Sequence, residues 1–295
     1  MYFTPSTQLY HNGKFVKATE ASTDLYSQTL HYGYGVFEGI RAYKTVNGVK
    51  IFKAHEHYER LLKSCALVSI PFNYSIEDLT QISYQVLERN NLKDAYIRPL
   101  VYCAPNMTLS APTGVSFMIA AWEWGKYHGL QSLKVCVSSF QRPNPKSVKM
   151  EAKVCGHYVN SIMATNEAKK RGFDEALMLD MNGFVAEGPG ANFFYEKDGV
   201  LYTPPLGSIL PGITRQTVFE ICREMDLPLV EKLFRPEELF EADSAFFCGT
   251  AAEVVAIESI EGQLFSKPWK QSMGAVVQEA YKCIVLDKSY SYVIV

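Results

Sequence analysis

The chain has 295 residues and a formal net charge of −2; 47% of its residues are hydrophobic and 20% are charged. This length is too great for one small core and predicts two medium-sized domains. The nearly neutral charge provides no basic surface for nucleic acid or anionic membranes, so we expect neither as a partner. Apolar runs such as Val115–Trp122 are too short to cross a bilayer, and we expect no signal peptide.

Seven cysteines are scattered along the chain, and no two of them have C-x-x-C spacing. An odd, scattered set argues against a disulfide framework and against a metal cluster, so we expect no metal site. Free thiols of this kind are typical of a reducing compartment, and we expect a cytoplasmic protein. Cys155 is of particular interest because it lies close in sequence to Lys153.

Four turn signals divide the chain, and each lies between apolar or alternating segments. An Asn-Gly or Asp-Gly pair favours a two-residue hairpin turn, because both central residues of that turn need positive φ. The sequence therefore predicts mostly antiparallel strands rather than long parallel βαβ repeats. The pairs are Asn12-Gly13, Asn47-Gly48, Asn182-Gly183 and Asp198-Gly199.

Apolar residues at helical spacing predict five helices, and Ser75 is a candidate cap for the second. The segment 142–146 contains two prolines and predicts an ordered loop beside a site. The predicted helices cover residues 55–67, 75–90, 158–171, a segment starting near Pro211, and 269–286. The predicted strands cover residues 95–102, 115–122 and 133–140.

Lys153 lies among small and apolar residues just ahead of a predicted helix. A partly desolvated lysine has a lowered pKa and can form a Schiff base with a carbonyl group. Taken alone, the same pattern also fits a solvated lysine at the end of a strand, which is the commoner situation. Arg60 and Arg98 could each hold an anion, or each could belong to an internal ion pair.

Three glycine-containing segments have features of a binding site. Glu187-Gly188 places a carboxylate where backbone can approach a ligand closely, so that it could keep a pyridine nitrogen protonated. Pro211-Gly212-Ile213-Thr214 begins a helix, and its N–H groups form a candidate anion site. Gly249-Thr250-Ala251-Ala252 is a small-residue turn that could offer further N–H donors.

The order of these segments is more specific than any one of them. In this order the sequence resembles the branched-chain amino acid aminotransferases, a family of fold-type IV enzymes that depend on pyridoxal 5'-phosphate. The resemblance extends from about Leu9 to Ile260. The matching segments are His31–Arg41, Tyr96–Pro99, Glu151–Lys153, Glu187-Gly188, Leu210–Arg215 and Gly249–Ala252.

The resemblance implies a role for each matching residue. Lys153 is implied to be the catalytic residue, which carries the cofactor as a Schiff base and later moves a proton. Further cofactor contacts are implied for Arg60, Tyr158, Glu187, Leu210, Ile213, Thr214 and Thr250. Substrate contacts are implied for Tyr32, Phe37, Gly39, Tyr96, Arg98, Met107, Leu109, Trp124, Tyr127, Thr250 and Ala251.

The implied fold is α/β (α+β), with two domains and mostly antiparallel or mixed strands. A small N-terminal α/β domain would cover residues 1–126, a link residues 127–133, and a larger cofactor-binding domain residues 134–295. The implied assembly is a homodimer or a higher oligomer of dimers. The segment 103–111 is a candidate for the loop that completes the neighbouring subunit's site.

The implied reaction transfers the amino group of leucine, isoleucine or valine to 2-oxoglutarate, giving branched-chain 2-oxo acids and L-glutamate. Two alternatives stay open: a D-amino acid or (R)-amine transaminase of the same fold, and a non-catalytic protein that binds phosphorylated metabolites. The runs Phe37–Arg41 and Tyr96–Arg98 favour the branched-chain enzyme among the catalytic possibilities.

Overall fold

The computed structural model describes residues 2–125 and 132–288. Contacts among these residues group into two compact units. The first unit runs to Gly125 and also includes Ala152–His157, and the second contains the other described residues. Lys153 thus belongs to the first unit by its contacts, whereas the sequence assigned it to residues 134–295. Most of the predicted link at 127–133 lies outside the described residues, and the predicted boundaries stay a prediction.

The first unit is built on one antiparallel sheet. Its elements are β1 (Gln8–His11), β2 (Lys14–Lys17), α1 (Gln28–Tyr32), β3 (Gly35–Phe37), β4 (Ile40–Thr45), β5 (Gly48–Ile51), α2 (Ala54–Leu67), α3 (Ile76–Arg89), β6 (Ala95–Cys103) and β7 (Val115–Glu123). Within the described residues the strand order is β2-β1-β7-β6-β4-β5, and β3 pairs with β6.

Helices α2 and α3 supply the apolar cover of this sheet. Their buried side chains form one cluster with Ile97, Val101 and Ile119 of the central strands. Because successive side chains of a strand point to opposite faces, Tyr96 and Arg98 lie on the face away from this cluster. The core thus occupies one side of β6 and leaves the other side for polar and aromatic side chains.

The second unit contains a larger, mixed sheet. Its elements are β8 (Ser132–Val137), α4 (Tyr158–Lys170), β9 (Glu175–Leu179), β10 (Val185–Glu187), β11 (Asn192–Lys197), β12 (Val200–Thr203), α5 (Ile213–Glu224), β13 (Leu229–Glu231), β14 (Ser244–Gly249), β15 (Glu253–Ile260), β16 (Gln263–Leu264) and α6 (Met273–Val285). Its strand order over the described residues is β10-β9-β8-β15-β14-β11-β12-β13, with β16 beside β15. The additional pairing of β10 with β11 closes six of these strands into a ring.

The prediction of mostly antiparallel pairing, with some mixed sheet, is confirmed. The strand pairs of the first unit are antiparallel, while β8 runs parallel to β9 and β15, and β12 runs parallel to β13. The predicted strand at 133–140 is shorter than expected, because β8 ends at Val137. Among the described residues, no helix has both the length and the apolar character that a membrane crossing requires.

The predicted helices are present, with one correction. The hydroxyl of Ser75 accepts a hydrogen bond from the Asp78 amide at 3.0 Å, which confirms the cap of α3. The prediction of one helix over residues 269–286 is wrong at its start. Trp269–Gln271 forms a short 3-10 helix, and α6 begins only at Met273, where Ser272 caps it.

Two of the four turn signals have the predicted geometry. Both central residues have positive φ at Asn12-Gly13 and at Asp198-Gly199. At Asn47-Gly48 the glycine already pairs with Thr45, so the turn residues are shifted by one position. At Asn182-Gly183 the loop is one residue longer, and Gly183 alone is left-handed. The hairpins were predictable, but their register was not.

The segment Ala152–His157 is fixed to β3 by backbone contacts. The Phe37 amide donates to the Lys153 carbonyl at 3.1 Å, and Val36 forms an antiparallel bridge with Val154. The Lys153 amide donates to the Ser64 hydroxyl of α2 at 3.0 Å. Both backbone polar groups of Lys153 are therefore satisfied within the first unit, which explains why its contacts place it there.

Gly33→Ala should displace this segment. Gly33 has φ +66°, and an added Cβ would lie 2.7 Å from the Gly156 Cα. Left-handed backbone costs a non-glycine residue about 1–2 kcal/mol, and the backbone clash adds to that cost. Gly13→Ala is the matched control, because Gly13 has φ +89° but nothing within 4 Å of the added Cβ. Thermal unfolding midpoints should fall further for Gly33→Ala, and equal falls would contradict the proposed clash.

Candidate functional site

Lys153 presents its amine on the aromatic side of the first unit. The side chain is half-buried, and its Nζ lies 5.0 Å from the centroid of the Phe37 ring. Because the backbone of Lys153 is held by Phe37 and Ser64, the direction of the side chain is set by β3 and α2 together. The amine therefore has a defined position and a partly apolar surrounding.

Tyr96 and Arg98 form a second group on the same unit. Arg98 Nη2 donates to the Tyr96 hydroxyl at 3.3 Å, and the guanidinium lies 4.6 Å from the Phe37 ring centroid. Both side chains therefore lie on one face of β6, and Arg98 restricts the direction of the Tyr96 hydroxyl. The Arg98 Nε is buried and has no hydrogen-bond partner among the described residues. A buried donor of this kind suits an anionic ligand.

Gly39 and Trp124 border the same tyrosine. An added Cβ at Gly39 would lie 1.8 Å from the Tyr96 hydroxyl oxygen, so that the ring occupies the space of a side chain. The rings of Tyr96 and Trp124 are 4.7 Å apart at their centroids. The structure thus brings together Phe37, Gly39, Tyr96, Arg98 and Trp124, which the sequence assigned to substrate binding. Tyr127 lies outside the described residues.

Arg60 is part of a buried cluster that the sequence did not reveal. Its Nε and Nη2 donate to the two carboxylate oxygens of Glu38 at 2.6 and 2.9 Å. His57 Nδ1 lies 2.8 Å from Glu38 Oε2. Removing one partner of a buried pair of this kind destabilises a protein by about 3–5 kcal/mol. The ion pair expected as the alternative for Arg60 is present, and its predicted contact with an anion stays a prediction.

The charges of this cluster follow from its geometry. Burial alone would raise the pKa of Glu38, but Arg60 and His57 more than offset it, so the pKa lies below its ordinary range. Burial lowers the pKa of His57 despite its bond to Glu38. At neutral pH the cluster therefore consists of an ionised carboxylate, a guanidinium and a neutral imidazole that donates from Nδ1.

The apolar residues assigned to the substrate pocket are not all enclosed. The Tyr32 hydroxyl donates to the Met107 carbonyl at 3.1 Å, which joins α1 to the loop after β6. Gln28 Nε2 donates to the carbonyls of Thr108 and Ser110 and fixes the same loop. Leu109 is nevertheless 89% exposed, and Met107 is 48% exposed. In the single chain these two side chains do not form a closed pocket wall.

Cys155 is not an activated thiol. Burial raises its pKa to about 11, although Arg98 and Lys153 act in the opposite direction. At neutral pH the sulfur is therefore protonated, and a protonated thiol is a poor nucleophile. The proximity of Cys155 to Lys153 has no chemical consequence that the geometry supports.

In the second unit, Glu187 is the centre of a buried hydrogen-bond network. Its Oε1 accepts from Arg142 Nη2 at 3.1 Å and from the Leu210 amide at 3.1 Å. Its Oε2 accepts from Asn192 Nδ2 at 3.0 Å. Three donors fix both oxygens of a carboxylate that is 4% exposed. Such a carboxylate is preorganised to accept a further proton donor without reorienting.

The start of α5 lies next to this network. Asn192 Nδ2 also donates to the Leu210 carbonyl at 3.0 Å, and Gly212 packs directly against the Asn192 side chain. Gly212 is the N-cap, and within the described chain it has no side-chain cap. Ile213 and Thr214, both buried, occupy the first turn. The predicted anion site is thus a helix N-terminus beside a fixed carboxylate, as the sequence suggested.

Thr250 and Ala251 belong to the turn that connects β14 to β15. Gly249, at the end of β14, lies so close to the Glu187–Asn192 hairpin that an added Cβ would be 3.2 Å from the Gly190 carbonyl oxygen. This contact places the turn at the hairpin that carries Glu187. Tyr158, the first residue of α4, borders a cleft of about 380 Å³ whose other wall includes Pro189 and Gly190 of that hairpin.

The described residues fit pyridoxal 5'-phosphate. A fixed carboxylate suits a pyridinium N–H, and a helix N-terminus without a side-chain cap suits a phosphate. The close packing of Gly212 and Gly249 shows that backbone, rather than side chains, forms this part of the second unit. In the first unit, Lys153 has an amine of the kind with which an aldehyde cofactor forms a Schiff base.

Four residues important to this arrangement were missed by sequence reasoning. Glu38 and His57 complete the Arg60 cluster, and Arg142 and Asn192 fix Glu187. Glu38 had a possible signal, because it lies between two residues assigned to the substrate site. Arg142 had another, since it begins the two-proline loop that was expected beside a site.

Comparisons with known proteins agree with this geometry. The family described as amino-transferase class IV matches residues 35–260. The branched-chain-amino-acid aminotransferase of Pseudomonas aeruginosa is 40% identical over 290 residues, covering 96% of this chain and 94% of the relative. The Escherichia coli enzyme of the same description is 38% identical over 262 residues, covering 86% and 85%.

Two solved structures have the same fold. The branched-chain aminotransferase of Thermoproteus uzoniensis with norvaline has a TM-score of 0.93 and 40% identity, with 97% of each chain covered. The T.th. branched-chain amino acid aminotransferase complexed with N-(5'-phosphopyridoxyl)-L-glutamate has a TM-score of 0.91 and 35% identity, with 97% of this chain and 96% of the other covered. The chain belongs to the class IV aminotransferase family.

Proposed function

We propose that this protein is a pyridoxal 5'-phosphate-dependent aminotransferase that moves the amino group of L-leucine, L-isoleucine or L-valine to 2-oxoglutarate. The observation that carries the proposal is the joint presence of the Lys153 amine and the thrice-bonded carboxylate of Glu187 in a chain of this family. The relatives with norvaline and with a phosphopyridoxyl-glutamate adduct support the two kinds of substrate, one apolar and one acidic.

Each cofactor-binding residue has a task that its chemistry explains. Bound pyridoxal 5'-phosphate supplies an aldehyde for the substrate amine and a ring that accepts electrons. Glu187 would accept the ring N–H and keep that nitrogen protonated. The amides of Ile213 and Thr214, with Thr250 and Arg60, would hold the phosphate. The Tyr158 hydroxyl would donate to the ring oxygen, and Leu210 would pack on the ring.

Lys153 is the residue that moves protons. Its Nζ, when it is not bonded to the cofactor, would take the proton from the substrate Cα. It can then deliver a proton to the former aldehyde carbon, so that one amine serves as base and acid in turn. Its backbone is held at both the amide and the carbonyl, so the side chain would act from a fixed point of attachment.

The substrate-binding residues combine apolar area with hydroxyl and guanidinium donors. Burying a leucine side chain against Phe37 and Trp124 could contribute roughly 1.5–3 kcal/mol. A carboxylate needs hydrogen-bond donors, or its desolvation would forbid binding. Tyr96 and Arg98 are such donors, and Thr250 and Ala251 can offer backbone N–H groups. Tyr32, Met107, Leu109 and Tyr127 complete the proposed set.

The proposed assembly is a homodimer or a higher oligomer of dimers. Several large apolar side chains are exposed in the single chain on α1, on the residues just before it and on the loop after β6, and hydrogen bonds join α1 to this loop. Exposed apolar clusters of this kind are typical of subunit interfaces. The seven cysteines are free thiols, which supports the proposed cytoplasmic location. The exposed residues are Leu25, Tyr26, Leu30, Tyr32, Met107 and Leu109.

Leu109→Asp should weaken this assembly. Leu109 is 89% exposed in the single chain, so the change should not affect the folded subunit, but it would introduce a charge into an apolar interface. Val46→Asp, at a site 75% exposed in the β4–β5 turn, is the control. Light scattering should show a dimer or larger for wild type and Val46→Asp, and dissociation for Leu109→Asp. A fully active wild-type monomer would rule out the proposed assembly.

The substrate proposal can be tested with a panel of amino donors. We expect efficient transfer to 2-oxoglutarate from L-leucine, L-isoleucine and L-valine, and weak transfer from D-alanine and (R)-1-phenylethylamine. The measurement is kcat/KM for the five donors, with heat-inactivated enzyme as the blank. If D-alanine or the chiral amine is the best donor, the branched-chain assignment is wrong. No transfer from any donor by a protein that binds the cofactor would favour the non-catalytic alternative.

A further inference from the structure

Glu38 has no role in the proposed reaction, although its two neighbours in sequence, Phe37 and Gly39, belong to the proposed substrate site. It is completely buried. Phe37 and Gly39, its neighbours, border the Lys153 amine and the Tyr96 hydroxyl. The Glu38 side chain instead meets Arg60 and His57, both on α2. A single residue therefore connects the substrate-site strand to the helix behind it.

The pair of Glu38 with Arg60 is directional. The carboxylate engages Nε and Nη2, which form one edge of the planar guanidinium. A guanidinium presents its donors in a fixed fork, so holding one edge sets the plane and the direction of the Nη1 group as well. His57 restricts the carboxylate in turn, since its Nδ1 bonds Oε2. The Gly39 amide also lies 3.2 Å from the same oxygen.

The same helix also holds Lys153. Ser64 of α2 accepts from the Lys153 amide, and Arg60 lies one helical turn before Ser64. The orientation of α2 against β3 thus affects both the predicted phosphate ligand and the backbone of the lysine. Glu38 is the charged contact that fixes α2 to the end of β3.

We propose that Glu38 is a positioning residue for phosphate recognition: it fixes one edge of Arg60 so that the Nη1 side addresses the phosphate of the cofactor. This inference rests on the proposed function. It predicts an effect specific to ligands with a phosphate, because Glu38 itself touches neither the ring nor the substrate. A purely structural role would affect ligands with and without phosphate alike.

Two effects of removing the Glu38 charge oppose each other. Loss of the carboxylate leaves Arg60 with more uncompensated positive charge, which would favour an anion. Glu38→Gln, however, has only one acceptor oxygen, so it can satisfy only one of the two guanidinium groups on that edge and opposes the other with its NH₂ donor; the edge is then no longer fixed. The lost orientation of the Arg60 guanidinium should outweigh its added positive charge, because arginine recognises phosphate through geometry as well as charge.

The test compares pyridoxal 5'-phosphate with pyridoxal, which lacks the phosphate, in titrations of the apoenzyme. In Glu38→Gln the dissociation constant for pyridoxal 5'-phosphate should rise about 10–100-fold, by analogy with residues that orient the side chains holding a metal ion. The constant for pyridoxal should change less than about twofold. Arg60→Ala should likewise raise the dissociation constant for pyridoxal 5'-phosphate and leave that for pyridoxal nearly unchanged. The double variant should bind pyridoxal 5'-phosphate no more weakly than Arg60→Ala alone.

Glu196→Gln is the matched control. Glu196 is also buried and ion-paired, to Lys267, and it accepts from the Ser244 hydroxyl and the Met273 amide. The substitution Glu196→Gln should change neither the dissociation constant for pyridoxal 5'-phosphate nor that for pyridoxal. If Glu38→Gln does not fold, Glu38→Asp keeps the charge but shortens the side chain. It should weaken pyridoxal 5'-phosphate binding and spare pyridoxal.

An unchanged or tighter constant for pyridoxal 5'-phosphate in the Glu38 variants would overturn the inference. Equal weakening of both ligands would also overturn it, because that result indicates a structural role. Failure of the proposed function would be visible separately, in a wild-type protein that does not bind pyridoxal 5'-phosphate at all.

Discussion

The fixed backbone of Lys153 is the constraint on which the candidate chemistry depends. A lysine side chain has four rotatable bonds and cannot be aimed unless its backbone is held. Here the amide is held by a hydroxyl of α2 and the carbonyl by an amide of β3, and Val154 continues the pairing with Val36. Because β3 also carries Phe37, the same strand positions both the Lys153 backbone and one wall of the proposed substrate site.

Among the described residues, each unit contains a buried carboxylate beside an arginine, and the two pairs have different consequences. Glu38 accepts hydrogen bonds from Arg60 on both oxygens and a further one from His57. Its carboxylate therefore orients these two side chains. Glu187 is itself oriented, by Arg142 and neighbouring amides. Burying a carboxylate is costly, and both sites offset that cost with several donors. In the proposed function, the first carboxylate would position a phosphate-binding arginine, and the second would itself meet the cofactor.

Local sequence signals predicted the helices and the start of α5 shortly after Pro211, because these features depend on short-range spacing. Non-local pairing was not predictable. Lys153 contacts Ser64 across 89 residues, and no periodicity near Lys153 indicates that it belongs with the first unit. Glu38 and Arg60 are 22 residues apart on different elements, so their pairing also required the fold. The predicted positions of the turn residues at Asn47-Gly48 were wrong for a related reason, because strand register decides which residues occupy a turn.

The central claim is that Lys153 carries the cofactor, and chemical trapping tests it most directly. The purified protein would be incubated with pyridoxal 5'-phosphate, reduced with borohydride and digested, and the labelled peptides identified by mass spectrometry. The account predicts a pyridoxyl group on Lys153 and its loss in Lys153→Ala, with other lysines unlabelled at stoichiometric cofactor. A label on a different lysine, or an undiminished label in Lys153→Ala, would contradict it.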